Sequence, residues 1–380
     1  MKKNTITLLV GTISLVLLLG AGCKQNIKIK PEKTLNTEPI KIGFIGPLTG
    51  EVASLGENIK KAVEFARDEI NSNPGNTRKV EIVFEDGKCE GKSAANAGAK
   101  LINTDKVKMI IGGICSNETL AVAPLAEASK VVLLSPASTN PDITNSGDYI
   151  FRLMPSDTFQ GKFVADYIYN TLQKRKIAVL FNSDQQWSTS IKGVFKERFI
   201  ALGGEIVAEH GVRNTENDLR PALNAIKNAN PDFIYFPSFV DSGIIGLKQA
   251  KELNLNIPIL GGDVWDDPKM AERVQAFGNN VRFTIASNRD LPLYYNTEMK
   301  KRTGQEESDT YSPRAYDAVK ILYNIVKLND DNSDTIKSEL YKLSSYQGVA
   351  DTYSLDSNGD VSIGNYVIKE FKDGKIIKAE

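Results

Sequence analysis

Four short polar loops carry the side chains in this sequence that could bind or transform a small molecule. They span residues 47–56, 112–117, 135–140 and 261–267, and none of them contains Lys or Arg. In the second loop Ser116 precedes an amphipathic helical pattern, and the free N–H groups and dipole of a helix start favour an anion there. A hydroxyl beside backbone amides fits one carboxylate, whereas several phosphates would recruit cationic side chains. These loops therefore predict a site for a small carboxylate.

Taken one at a time, these polar residues have simpler interpretations. Ser116 would satisfy its own helix as a plain N-cap, and the Ser135–Thr139 segment would be an ordinary polar turn. A ligand is favoured by the second half of the chain, where Asp263 adds a carboxylate on another strand-end loop. Aromatic side chains accompany it on the loops of that half: Trp187, Phe239 and Trp265. Donors for an anion in one half and an acceptor for a cation in the other predict a zwitterionic ligand.

The sequence lacks the residues that common catalytic and metal sites need. It contains one histidine, His210, and no G-x-S-x-G motif, which argues against a Ser-His-Asp triad and serves a zinc ion poorly. The GKS tripeptide at 91–93 has Asp86 where a phosphate-binding loop needs Gly. The DSNGD segment at 356–360 has Val361 where a calcium loop needs Gly, so it is interpreted as a hairpin turn. We predict no enzyme activity, no cofactor and no metal.

The elements that would position the polar loops alternate regularly between strand and helix. From residue 40 a buried strand pattern (IKIGFIG) precedes an amphipathic helix pattern (ENIKKAVEFARDEINSN), and two more strand–helix pairs and a strand follow. A similar series runs from about residue 157 to the strand pattern IPILGGD. Such alternation predicts right-handed βαβ units on parallel sheets, which bind ligands beyond the carboxyl ends of their strands. The predicted fold class is α/β, with two doubly wound lobes of similar build.

The C-terminal part of the chain changes character. Two long helical patterns, at about 291–303 and 311–328, precede short alternating segments. The turn signals Asn358-Gly359 and Asp373-Gly374 separate these segments and predict small antiparallel ribbons at the end of the chain.

The N-terminal residues predict export. A basic start (MKK), an apolar run and small residues before Cys23 form a secretory signal pattern, and the run is short for a membrane span. The LGAGC stretch resembles a bacterial lipobox, in which Cys23 becomes the lipidated N-terminus, with Gly20 where that motif prefers Leu. The alternative is an uncleaved anchor. We predict a signal peptide at 1–22, a polar tether at 23–39, and a mature protein outside the cytoplasm, lipid-anchored to the cell membrane.

Charge and length further limit the partners and the number of lobes that we expect. The 47 Lys and Arg balance the 47 Asp and Glu, and no basic cluster stands out, which argues against nucleic acid as a partner. A chain of 380 residues exceeds one ordinary hydrophobic core, in keeping with two lobes.

The remaining cysteines indicate a disulfide. With Cys23 assigned to lipid, only Cys89 and Cys115 are left, and an even remainder in an exported chain favours one disulfide. The alternative is a reactive pair, but the chain has no C-x-x-C spacing for it.

Four segments in this order characterise the chain: 40–71 (IKIGFIGPLTG onward), 112–139 (GGICSNETLAVAPLAEAS onward), 232–253 (DFIYFPSFVDSG onward) and 311–319 (YSPRAYDAV). Together they resemble the branched-chain amino-acid-binding proteins of ABC importers, the leucine/isoleucine/valine-binding type of the type I periplasmic-binding fold. The resemblance covers residues 40 to about 375 and implies two lobes joined by three crossover strands. The implied boundaries are 40–157 with 287–364 for the N-terminal lobe, and 158–286 with 365–380 for the C-terminal lobe.

The resemblance also implies a role for individual side chains. Ser116 and its amide would bind the ligand carboxylate, assisted by Thr139. The Ala137 carbonyl and the Thr139 hydroxyl would accept hydrogen bonds from the ammonium group, and Asp263 of the other lobe would complete its site. The family disulfide matches Cys89 and Cys115, and would hold the carboxylate loop rigid.

Five further residues complete the predicted ligand site: Leu55, Ser138, Trp187, Phe239 and Trp265. The family often has Tyr where this chain has Leu55, Trp187 and Phe239, and commonly Glu where it has Asp263. These differences keep the α-amino-acid class but leave the side chain of the ligand open among leucine, isoleucine and valine.

The resemblance implies a receptor that captures an aliphatic amino acid and delivers it to an ABC transporter permease, most simply as a monomer. Two alternatives stay open at this point. One is a receptor for amides, urea or aromatic acids on the same fold, and the other is a sensory module that presents its ligand to a signalling receptor.

Overall fold

The computed structural model describes residues 38–277, 281–362 and 364–379. The predicted signal peptide, the lipidation site Cys23 and the tether up to residue 37 lie outside the described residues. Within the described ranges no helix is long and apolar enough to cross a bilayer. The chain is built on two large sheets of mostly parallel strands with helices packed against them, and the predicted α/β fold class is confirmed.

The first sheet has five parallel strands. They are β1 (Ile40–Gly46), β2 (Val80–Asp86), β3 (Met109–Ile111), β4 (Val132–Ser135) and β5 (Ile150–Arg152). Their order in the sheet is β2-β1-β3-β4-β5. The first three connecting helices are α1 (Ala53–Ser72), α2 (Gly91–Asn103) and α3 (Ser116–Ser129). Strands β3 and β4 are wholly buried, because helices cover both faces of a parallel sheet.

The second sheet repeats this plan. Its parallel strands are β6 (Lys176–Asn182), β7 (Glu205–Val212), β8 (Phe233–Phe236), β9 (Ile259–Gly261) and β10 (Val281–Ala286). Its helices are α4 (Asp157–Asp166), α5 (Gln186–Ala201), α6 (Arg220–Ala229), α7 (Val240–Glu252) and α8 (Pro268–Val274). One core packs α4 and α5 on one face of the sheet, and another packs α6, α7 and α8 on the opposite face.

The C-terminal part supplies the remaining elements. They are α9 (Leu293–Thr303), α10 (Ser312–Leu328), α11 (Ser333–Tyr341), β11 (Tyr346–Gln347), β12 (Thr352–Tyr353), β13 (Tyr366–Lys372) and β14 (Lys375–Lys378). The ribbon predicted at Asp373-Gly374 is present, because β13 pairs antiparallel with β14. At Asn358-Gly359 a single antiparallel bridge joins Leu355 to Val361. Two further antiparallel pairs are β11 with β12, and β13 with β10. The second sheet therefore has the order β14-β13-β10-β9-β8-β6-β7. Asp373 and Gly374 form the tight turn with φ of 50° and 71°.

The chain passes between the two sheets three times, after β5, after β10 and before β13. Side chains on either side of these passages belong to different cores: Val164 to the second sheet, Tyr295 to the first, and Ile368 to the second again. This core membership supports the proposed division into lobes. The proposed boundaries remain 40–157 with 287–364, and 158–286 with 365–380.

The sequence patterns did not predict four of the elements, which are β5, α8, β10 and α11. Strand β5 has three residues and α8 has seven, too few for periodicity to indicate either. In β5 the charged Arg152 also interrupts the apolar run, although the structure buries it completely. Its burial depends on partners that lie far away in the sequence.

Candidate functional site

Loops at the carboxyl ends of strands from both sheets line one cleft, with about 410 Å³ of empty space in it and at its mouth. Seven predicted ligand-binding residues line it: Leu55, Ser116, Ala137, Thr139, Trp187, Phe239 and Asp263. Sequence reasoning missed further lining residues: Ile114, Asn117, Gln185, Val264 and Tyr311. Asn117 and Val264 adjoin a predicted residue, and Ile114 and Gln185 lie two residues from one. Tyr311 opens the YSPRAYDAV segment, so position alone could have indicated them.

Ser138, predicted to contact a ligand, does not line the cleft. It is 1% exposed, and its hydroxyl lies 2.7 Å from Thr119 Oγ1 and 3.1 Å from the Gly113 carbonyl oxygen. Successive side chains of an extended loop point in opposite directions, so Ser138 turns inward while Ala137 and Thr139 face the cleft. Ser138 therefore braces the loop after β4 against the loop after β3.

Trp265, also predicted to contact a ligand, is fully buried in the core of the second sheet. Its Nε1 donates to the Ser238 carbonyl at 2.9 Å. The indole packs so closely on Gly243 and Gly261 that a Cβ at either position would lie within 3 Å of the ring. Trp265 therefore packs against glycine backbone in the core instead of lining the cleft. Val264, the residue before it, lines the cleft.

The anion side of the cleft is the start of α3. Cys115 occupies the N-cap, so Ser116 is the first helical residue and the interpretation of Ser116 as a plain N-cap is wrong. Ser116 Oγ accepts from the Asn140 backbone N–H at 3.3 Å. Among the described contacts the Ser116 backbone N–H has no hydrogen-bond partner, as is usual for the first turn of a helix. This N–H and the helix dipole remain directed at the cleft.

The disulfide between Cys89 and Cys115 is present, with Cα atoms 5.3 Å apart, and this prediction is confirmed. A buried carboxylate holds the same junction together. Glu118 accepts backbone hydrogen bonds from Cys89, Ile114 and Cys115 at 2.9–3.0 Å. Burial raises the pKa of Glu118 to about 7 in spite of these bonds. Sequence reasoning missed Glu118, whose only signal was its place three residues after the helix cap.

A buried arginine fixes the loop after β4. Arg152 Nη1 donates to the carbonyls of Thr139 and Asn140 at 3.1 and 2.8 Å. Its Nε and Nη2 donate to the two carboxylate oxygens of Asp360 at 2.7 and 2.6 Å. Two parallel charge-assisted bonds define the orientation of the guanidinium group. Asp360 ends the DSNGD segment that the sequence predicts to be a hairpin turn, and nothing in the sequence indicates that it pairs with Arg152.

The cation side of the cleft is acidic. Asp263 is 1% exposed; its Oδ2 accepts from the Tyr311 hydroxyl at 2.7 Å, and its Oδ1 is buried without a partner among the described residues. Burial raises the pKa of Asp263 to about 6. Asp157 at the start of α4 has a pKa raised to about 8, by burial first and by the charge of Asp263 second. Two enclosed carboxylates of this kind favour a cationic group between the lobes.

An apolar wall lies beside the acidic groups. The rings of Trp187 and Phe239 are 5.6 Å apart and tilted by 59°. Asn182 holds the loop of Phe239 by accepting its backbone N–H at 2.9 Å, and Ser188 bonds to the Pro237 carbonyl of the same loop. The two rings also pack in one buried cluster with the disulfide.

Polar contacts across the mouth of the cleft link the two sets of loops. Asn117 Nδ2 donates to Gln185 Oε1 at 3.0 Å, and Asn117 Oδ1 accepts from the Gln186 N–H at 2.9 Å. Asn214 Nδ2 donates to Glu51. Asn117, Gln185, Gln186, Asn214 and Glu51 are called the mouth contacts below.

Within the described residues no cluster of three or more His, Cys, Asp or Glu side chains could hold a metal ion. The geometry of the cleft is that of a binding site, with anion donors on the loops of the first sheet, the carboxylate of Asp263 on a loop of the second sheet, and an apolar wall.

Comparison with known proteins gives a consistent family. A family model described as periplasmic binding protein matches residues 39–375. An amino acid binding protein of Pseudomonas aeruginosa is 26% identical, with 88% of this chain and 90% of that protein covered. The crystal structure of the leucine binding protein LivK from Thermotoga maritima has a TM-score of 0.83 at 28% identity, over 90% of this chain and 98% of that one. The substrate binding protein LivJ from Streptococcus pneumoniae, solved with isoleucine, has a TM-score of 0.81 at 27% identity, covering 89% and 97%.

Proposed function

Because the chain belongs to the periplasmic binding protein family, we propose that it captures an aliphatic L-amino acid in its cleft and delivers it to an ABC transporter permease. The observation that carries this proposal is that one cleft contains both a group that suits an anion and a group that suits a cation. The unpartnered N–H of Ser116 at a helix start suits an anion, and the unpartnered buried Oδ1 of Asp263 suits a cation. A free amino acid carries both charges on one carbon atom.

Each end of the ligand has its own partners in this proposal. Ser116 and the Thr139 hydroxyl bind the carboxylate, and Asp263 with the Ala137 carbonyl and Thr139 binds the ammonium group. The side chain of the ligand lies against Leu55, Phe239 and Val264, a wall that suits leucine, isoleucine or valine. The solved relatives with bound isoleucine and leucine support this choice of side chain.

Delivery requires two states of the cleft. A ligand that touches both lobes binds the closed state better than the open one and so shifts the population towards closure. The closed, loaded protein would be the form that the permease recognises. We further propose that the mature protein is a monomer held at the outer side of the cell membrane by lipid on Cys23, as the signal pattern of the sequence predicts. The family location outside the cytoplasm supports this placement.

Thermal unfolding of the mature protein against the twenty amino acids, urea and short amides tests the proposal. We expect leucine, isoleucine or valine to raise the midpoint most, since a ligand that binds only the folded state stabilises it by mass action. Stabilisation by neutral amides alone would contradict the zwitterion site and favour an amide receptor.

The charge at position 263 gives a sharper test. Asp263→Asn keeps the size of the side chain but removes the charge that would face the ammonium group. Truncation of one buried partner of a charge pair costs on the order of 2–5 kcal/mol, so affinity should fall at least about thirtyfold. The exposed Asp218 of the same lobe forms its ion pair with Arg220 and provides the matched control, and Asp218→Asn should leave affinity unchanged. Equal affinities of the parent and Asp263→Asn would show that the ammonium site is misassigned.

A further inference from the structure

Trp187 holds a donor that the proposed amino-acid contacts do not use. Of the polar side-chain atoms on the cleft-lining residues, two are fully buried without a hydrogen-bond partner in the described part of the chain: Asp263 Oδ1 and Trp187 Nε1. The first is taken by the ligand ammonium group in the proposed function. The second belongs to a side chain that is 5% exposed and lies at the apolar end of the cleft.

The indole edge that carries this N–H lies beside the loop after β9. A Cβ at Gly262 would come within 2.7 Å of Trp187 Cζ2, and Cζ2 adjoins the ring carbon that bears Nε1. The next two residues of this loop, Asp263 and Val264, line the cleft. The donor therefore lies on a cleft-lining side chain that packs beside the loop carrying Asp263.

The neighbours of the indole do not supply an acceptor. Phe239 and Val264 are hydrocarbon, and the nearby amide of Gln185 is paired with Asn117 across the mouth of the cleft. A buried donor without a partner retains its full desolvation penalty, and an apolar ligand side chain leaves that penalty in place. A ligand side chain with an oxygen acceptor removes it.

We propose that Trp187 is a specificity-determining residue, whose Nε1 donates to an acceptor on the ligand side chain. The site then takes amino acids with small oxygen-bearing side chains, such as threonine, in addition to aliphatic ones. This inference rests on the proposed amino-acid function and narrows its substrate class.

Two isosteric pairs of ligands isolate the acceptor: threonine with valine, and asparagine with leucine. Calorimetry measures all four ligands on the mature parent and on Trp187→Phe, which retains an aromatic ring but has no N–H. We expect the substitution to weaken the oxygen-bearing member of at least one pair at least about fivefold more than its apolar isostere, about 1 kcal/mol at 1.4 kcal/mol per tenfold. Equal weakening within both pairs would overturn the inference, because the ring and not its N–H would then matter.

Trp265→Phe is the matched control, since the chain has two tryptophans and the Nε1 of Trp265 is already bonded to Ser238. It should lower stability and leave both ligand ratios unchanged. If the Trp187→Phe variant fails to fold, a second test uses the parent protein. Its two indole N–H signals are followed by NMR as each ligand is added. Threonine or asparagine should move the Trp187 signal more than its apolar isostere does, and identical shifts within both pairs would overturn the inference. Amino-acid binding with unchanged ratios rejects the role of Trp187 alone, whereas no amino-acid binding at all rejects the proposed function as well.

Discussion

At the scale of single residues, burial decides the protonation of the acids around the cleft. The pKa of Asp157 is raised to about 8, that of Glu118 to about 7 and that of Asp263 to about 6, in each case mainly by burial. Neither Asp157 nor Asp263 forms an ion pair within the described residues. An ammonium group brought by a ligand would favour the ionised form of Asp263, which lines the cleft, and lower its pKa.

Ligand affinity should therefore fall as the pH drops below about 6. Above this value Asp263 is already ionised in the free protein, whereas below it the carboxyl must release a proton before it can face an ammonium group. The loss approaches about tenfold per pH unit, the limit for one coupled proton. Calorimetry between pH 4.5 and 7.5 would measure it. Asp263→Asn should bind weakly with a flatter profile, and a flat profile in the parent would contradict the contact with the ammonium group.

The stability of the ligand-free protein should change in the opposite direction. Because the folded-state pKa values of these acids are raised, the folded protein binds more protons than the unfolded chain between about pH 4.5 and 8. The free energy of unfolding then rises as the pH falls through this window. Thermal unfolding should give a higher midpoint at pH 5.5 than at pH 8. Asp157→Asn should reduce the difference, and an unchanged difference would show that Asp157 does not titrate in this range.

At the scale of elements, distant segments fix the loops that form the cleft. The Arg152 guanidinium, at the end of β5, joins the carbonyls of the loop after β4 to Asp360 near the end of the chain. The carboxylate of Glu118 joins the start of α3 to the loop after β2, and the disulfide covers the same gap. A loop held by two independent links presents its backbone to a ligand in one conformation, which reduces the entropy lost on binding.

Loss of the Arg152–Asp360 pair should affect both stability and binding. Asp360→Asn leaves the fully buried Arg152 without its counter-charge, and breaking a buried pair from one side costs roughly 3–5 kcal/mol. The Thr139 loop should loosen at the same time and affinity should fall. Denaturant unfolding and calorimetry would measure the two effects. The exposed pair of Arg220 with Asp218 provides the contrast, because Asp218→Asn should cost under about 1 kcal/mol.

The sequence was informative where a residue acts through its own element. Apolar runs and amphipathic periods indicated most strands and helices, and seven of the predicted site residues lie together on one cleft because strand ends converge in parallel sheets. The sequence did not predict contacts between residues that lie on different elements of the chain. Nothing near Arg152 in the sequence indicates Asp360, and Gly243, one side of the slot that buries Trp265, lies on a different element from it. Ser138 does not line the cleft for a more local reason, because its side chain points inward from the loop.

At the scale of the whole molecule, the mouth contacts link loops of the two sheets independently of the ligand site. Asn214 donates to Glu51, whose pKa is raised by partial burial first and then by the charges of Asp241 and Asp184. The three acids repel one another across the mouth, and the hydrogen bond from Asn214 acts against this repulsion. The hydrogen bond therefore offsets a repulsion that favours the open cleft.

Asn214→Ala should weaken ligand binding about three- to tenfold, although Asn214 does not line the ligand cleft. The loss comes from a smaller population of the closed state, which lowers apparent affinity in proportion. Stopped-flow kinetics should show it mainly as faster dissociation. The exposed Asn224 on α6 is the control, and Asn224→Ala should bind as the parent does. Equal dissociation rates for both variants would mean that the mouth contacts do not influence closure.

The three passages between the sheets have a consequence for biosynthesis. Strands near the start of the chain share a core with Tyr353, Leu355 and Val361, close to its end. The N-terminal lobe therefore cannot complete its interior until the chain has been synthesised as far as Val361. Until then this core, although α1 already contributes to it, lacks the residues that follow β10, and partly exposed apolar surface favours aggregation of a nascent chain. For an exported protein the same delay is useful, because a chain that folds late is still unfolded when it must be threaded through a membrane channel.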